Sequence, residues 1–78
     1  MLVEFRGTLD ELKALVARTG QAGRWVHEGD FEMFVVEDSV SNLRLNWWPA
    51  NGTLMVVGDP AQRRGFTQSL DQELARPS

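Results

Sequence analysis

A chain of 78 residues with a net charge of −3 has the size of one small domain, near the limit at which a single hydrophobic core suffices. It has no cysteine, which excludes disulfides, thiolate metal sites and a cysteine nucleophile; the lone histidine, His27, excludes a histidine-rich metal site. No apolar run exceeds four residues (33–36 and 54–57), so the sequence predicts neither a membrane span nor a secretory signal, and the expected location is cytoplasmic.

Residues 1–6 alternate, with Val3 and Phe5 on one face and Glu4 and Arg6 on the other, which predicts a strand. Gly7 ends it. Thr8 and Glu11 then have the spacing of a capping box, in which each side chain bonds the other residue's amide. Leu9, Leu12, Leu15 and Val16 follow at helical spacing, and Gly20 stands where a left-handed C-cap is wanted.

From Gly23 the period changes to two. Residues 24–28 and 31–36 predict two short strands joined by Gly29-Asp30, and residues 43–48 a third. In that third strand Leu43, Leu45 and Trp47 share one face, and Arg44, Asn46 and Trp48 the other. Residues 49–52 make a hairpin loop around Asn51-Gly52, and residues 53–57 return as the last strand. Asp59 is an N-cap with Pro60 at the first helical position and Gln62 completing a capping box. Phe66, Leu70 and Leu74 form the apolar stripe of a second helix, in which Gly65 implies close packing on the sheet. Residues 76–78 read as a frayed tail.

The expected fold class is α+β: an antiparallel sheet in the order β-α-β-β-β-β-α, with both helices on one face and the other face open. Alternation sends Arg6, Arg44, Asn46, Trp48, Thr53, Met55 and Val57 to the open face. Phe34 and Val36 are assigned there too, although both faces of their strand are apolar. A sheet face this apolar is a candidate contact surface.

The run Leu43 to Gly58 (LRLNWWPANGTLMVVG) has an apolar strand ending in an aromatic, a short glycine-containing turn, a second apolar strand and a glycine before a helix. In this and in its element order, the chain resembles one repeat of the TATA-box-binding-protein fold, as in the N-terminal domain of type 3 bacterial ribonuclease H. The resemblance implies a saddle built from two repeats, here a homodimer, whose sheet face enters the minor groove with aromatic wedges. By position, Trp48 and Trp25 match the wedges, Asn46, Thr53, Met55 and Val57 the floor between them, and Arg6 and Arg44 phosphate contacts. Tryptophans also serve as stacking platforms for unpaired bases.

The charge distribution supports a different partner. The bases are scattered, and Glu28, Asp30, Glu32, Glu37 and Asp38 fall in a stretch with no base between Arg24 and Arg44, so the basic stripe of a nucleic-acid binder is missing. No Ser-His-Asp arrangement or calcium-binding loop spacing occurs, and Asn51-Gly52-Thr53, a glycosylation sequon, reads as the hairpin turn. The expectation is a non-enzymatic binding module without metal or cofactor. Its partner is either nucleic acid, bound by a homodimer, or a protein held by Trp48, Phe34 and Met55, as for a small phage or bacterial inhibitor or adaptor.

Overall fold

The computed structural model describes residues 2–37 and 42–75. They form β1 (Leu2–Glu4), α1 (Leu9–Arg18), β2 (Gly23–Glu28), β3 (Phe31–Val36), β4 (Arg44–Trp48), β5 (Thr53–Val57) and α2 (Pro60–Ala75). The expected tail at 76–78 and the Asp38 carboxylate lie outside the described residues. The five strands make one sheet in the order β1-β5-β4-β3-β2, and every neighbouring pair is antiparallel.

Both helix starts follow from their caps. Thr8 accepts from the Glu11 amide at 3.1 Å and the Glu11 carboxylate accepts from the Thr8 amide at 2.8 Å, which closes the capping box at α1. Past the C-cap residue Thr19, Gly20 adopts φ 84°, the left-handed conformation that ends a helix. At α2 the Asp59 carboxylate accepts from the amides of Ala61 and Gln62 at 3.1 and 3.4 Å. The expected return bond from the Gln62 side chain is not among the hydrogen bonds of the described residues, so Asp59 caps on its own.

The apolar residues of the two helices meet one face of the sheet. Leu12, Leu15 and Val16 of α1 and Phe66 and Leu70 of α2 are buried with Leu45, Trp47, Leu54 and Val56, all at 5% exposure or less. Each such side chain contributes roughly 1.5–3 kcal/mol by leaving water. Arg18 pairs with Glu73 at 3.2 Å, linking the C-terminal ends of the two helices.

Three expectations change. Phe34 and Val36 belong to this core, at 4% and 5% exposure, and do not reach the open face. The Gly29-Asp30 turn aligns Glu28 with Phe31, and that register carries Trp25 opposite Phe34 and Phe34 opposite Leu45. Trp25 therefore points to the helix side as well, where its ring lies 5.1 Å from that of Phe34 and packs against the core. Gly23, one row away, makes room for this pair: a Cβ there would stand 2.4 Å from the Val35 carbonyl oxygen and 2.6 Å from the Phe34 ring. Gly65 has the opposite character. It is exposed and a Cβ on it would touch nothing within 4 Å, so close packing does not account for this glycine.

Candidate functional site

The strands that bury one face against the helices leave the other uncovered by any described element. Pairing arranges its side chains in three rows across the sheet. The first runs Arg24, Val35, Arg44, Val57. The second, in the middle, runs Val26, Met33, Asn46, Met55. The third runs Glu28, Phe31, Trp48, Thr53 and Glu4.

The face is apolar in its interior and charged at its ends. Val26, Phe31, Met33, Val35, Trp48, Met55 and Val57 are half-buried, because each is covered only by its neighbours on the face. Arg24 and Arg44 are exposed at one end of the strands, and Glu28 and Glu4 at the other. The rings of Phe31 and Trp48 sit 4.9 Å apart at 31°, a tilted stack that makes one aromatic surface at the acidic end. Trp48 is held there because its neighbour Trp47 points the opposite way into the core, at 3% exposure.

Asn46 is the polar exception. It is the middle residue of β4, and β4 is the middle strand of the five, so its amide marks the centre of the face. Its Oδ1 is buried and has no hydrogen-bond partner among the described residues, with Met33 and Met55 on either side. An unpaired buried carbonyl of this kind costs free energy that a matching donor would recover.

Of the sequence-derived site residues, Arg44, Asn46, Trp48, Thr53, Met55 and Val57 are brought together on this face. Trp25 and Phe34 are removed to the core side. Arg6 lies beyond the end of β1, where its Nε donates to Glu4 Oε1 at 2.8 Å, both side chains well exposed; this pairing raises the Arg6 pKa above its ordinary value. Phe31, Met33, Val35 and Val26 were missed. The signal for them was the two-residue turn at Gly29-Asp30, which settles which alternate residues of β3 share a face with Asn46.

On the helix side, His27 Nδ1 and Glu32 Oε2 lie 2.5 Å apart at the end of the sheet. Among the described residues no cluster of three or more histidine, aspartate or glutamate side chains is placed to hold a metal ion. No described helix is long and apolar enough to cross a membrane. A shallow recess of about 360 Å³ runs between the C-terminal half of α1 and β2, with Trp25 and Phe34 in its floor. Compared with protein-family models, curated proteins and solved structures, the chain matches none.

Proposed function

We propose that the chain is a non-enzymatic binding module, built as a single repeat of the TATA-box-binding-protein type, and that the outer face of its sheet is a protein-contact surface. The observation that carries this reading is the uncovered apolar field from Val26 to Met55 with the Phe31–Trp48 stack at its border. Aromatic and methionine side chains surrounded by charged ends are the composition of a protein interface centre and its rim. The β-α-β-β-β-β-α order and the two helices on one face support the resemblance.

Nucleic acid is the second reading, favoured by one feature: Arg24 and Arg44 stand on the same face as Trp48. It has less support. Trp25 is not available as the second wedge, Arg6 is paired with Glu4, and the opposite end of the face carries Glu28 and Glu4. Phosphate neutralisation dominates such binding, and two free arginines against two acids supply little of it.

A photo-crosslinking residue in place of Met55, installed in the cells that carry the gene, tests the reading. The expected result is discrete protein adducts that survive nuclease and are missing when the same group replaces the exposed Gln68 of α2. Adducts removed by nuclease, or none specific to position 55, overturn it. Titration of short single- and double-stranded DNA and RNA at low salt is expected to be flat.

A further inference from the structure

Resting on that reading of the face, we propose that its protein partner is a second copy of this chain, packed face to face with β4 over β4 and the strands antiparallel. The two-fold axis of this pair runs along the middle row of the sheet and passes over Asn46.

The first support is the position of Asn46. A two-fold axis sets a residue lying on it against its own copy. An amide has both a donor and an acceptor, so two facing Asn46 side chains satisfy each other once each turns outward the Oδ1 that is covered and without a partner within one chain. A lone polar residue at the centre of an apolar interface also specifies register, because any slip buries it unpaired.

The second support is charge. Rotation about the middle row exchanges the other two rows while keeping each strand over its own copy. Arg24 then faces the copy's Glu28, on both sides of the axis. Arg44 faces the copy's Trp48, an arrangement for a cation over an indole ring, and Val35 faces the copy's Phe31. The alternative axis, along β4, keeps the rows in place and sets Arg44 against Arg44 and Glu28 against Glu4. Like charges oppose that arrangement, so of the two aligned packings the antiparallel one is self-complementary.

Size sets the strength of the pair. Five strands about 4.8 Å apart and five residues of about 3.3 Å each make a face of roughly 24 by 17 Å. That footprint, about 400 Å² per copy, is half that of a standard specific interface and fits a weak, reversible pair whose population depends on concentration.

Sedimentation equilibrium on four samples tests the proposal: the parent chain, Arg24→Glu, Glu28→Arg, and an equimolar mixture of the two variants. The parent is expected to approach twice the 8.8 kDa chain mass as its concentration rises to roughly 1 mM. Each variant alone sets like charges against each other and is expected to weaken the dimer at least tenfold. The mixture restores opposite charges on both sides and is expected to recover the dimer. Asn46→Asp is a second probe, weakening the dimer at neutral pH and regaining it below about pH 4 as the facing carboxylates take up protons. A parent that stays monomeric at the top concentration overturns the proposal. So do single variants that associate as tightly as the parent, or a Glu28→Arg variant that associates more tightly. A monomeric parent whose position-55 adducts are nuclease-resistant proteins of other mass sinks the second copy alone; nuclease-sensitive adducts sink the contact-surface reading with it.

Discussion

The indole Nε1 of Trp47 donates a 3.0 Å hydrogen bond to the main-chain carbonyl of Phe5, and the two rings meet edge to face at 5.8 Å. Phe5 also donates its amide to the Gly52 carbonyl at 2.7 Å, so the chain leaving β1 is fastened to both sides of the β4–β5 turn. Trp48, one residue along, shares none of this and faces outward with Phe31. Two adjacent tryptophans thus have separate tasks, one closing the core and one furnishing the surface.

Trp47→Phe is therefore expected to destabilise the chain by about 1–3 kcal/mol, because the Phe5 carbonyl loses its donor while the site loses packing area. Trp48→Phe keeps an aromatic ring on Phe31 and is expected to change monomer stability by no more than about 0.5 kcal/mol. Urea unfolding of both variants at low concentration checks the contrast. Equal losses would contradict the division of roles.

Substitutions at Gly23 and Gly65 have opposite expected outcomes. Gly23→Ala drives a methyl group to 2.4 Å from the Val35 carbonyl oxygen, which is backbone and cannot turn aside as a flexible side chain would. A loss of about 1–3 kcal/mol is expected, with the Trp25–Phe34 contact disturbed. Gly65→Ala adds a methyl group in open space within α2, and a gain of about 0.5–1 kcal/mol is expected from the better helix former. Thermal unfolding of each variant decides both signs.

The same contrast shows what was legible in the chain. Helix starts are local events, and Thr8, Glu11 and Asp59 announce them within four residues. The outward set of β4 was also legible, because Leu43 and Leu45 alternate with Arg44 and Asn46, and the short turn at Asn51-Gly52 carries that register into β5. The strand β3 gave no such cue. Phe31, Met33 and Val35 on one face are as apolar as Phe34 and Val36 on the other, so alternation alone left two registers. The sheet decides by geometry: the turn at Gly29-Asp30, with Gly29 at φ 68°, pairs Trp25 with Phe34, and Gly23 leaves space where a side chain would collide. Asn46 could be read as outward-facing, but its place at the centre of the face depends on strand order, which pairs β1 with β5 across the whole chain.

The caps supply a third prediction. Thr8→Ala removes the hydroxyl that accepts from the Glu11 amide and leaves only the bond from the residue-8 amide to the Glu11 carboxylate, and Asp59→Ala frees the amides of Ala61 and Gln62. Each is expected to cost about 0.5–2 kcal/mol. The double variant is expected to show the sum, since the two caps share no partner. Gln62→Ala, by contrast, is expected to leave stability nearly unchanged, because the Gln62 side chain has no part in the cap. A Gln62 loss as large as that of Asp59 in chemical denaturation would restore the reciprocal box.

His27 supplies a pH dependence. Its ring bonds Glu32, and this hydrogen bond is the largest cause of a pKa raised above the ordinary histidine value; the charge of Glu32 adds to it, burial opposes it, and the charge of Glu28 contributes least. A base whose pKa is higher in the folded than in the unfolded chain stabilises the fold when protonated. That contribution is complete below the unfolded value of about 6.5 and is lost as pH rises through the folded value, so stability is expected to decline across this window. The ring is exposed while the Glu32 carboxylate is mostly covered, at 72% and 13% of side-chain surface, so the decline is expected to be modest and to shrink with added salt. Proton resonances of the single imidazole followed against pH measure the folded value directly. Glu32→Gln is expected to bring the midpoint back toward about 6.5 and flatten the stability profile. A midpoint at or below that value in the parent chain would show that the pair does not hold in solution.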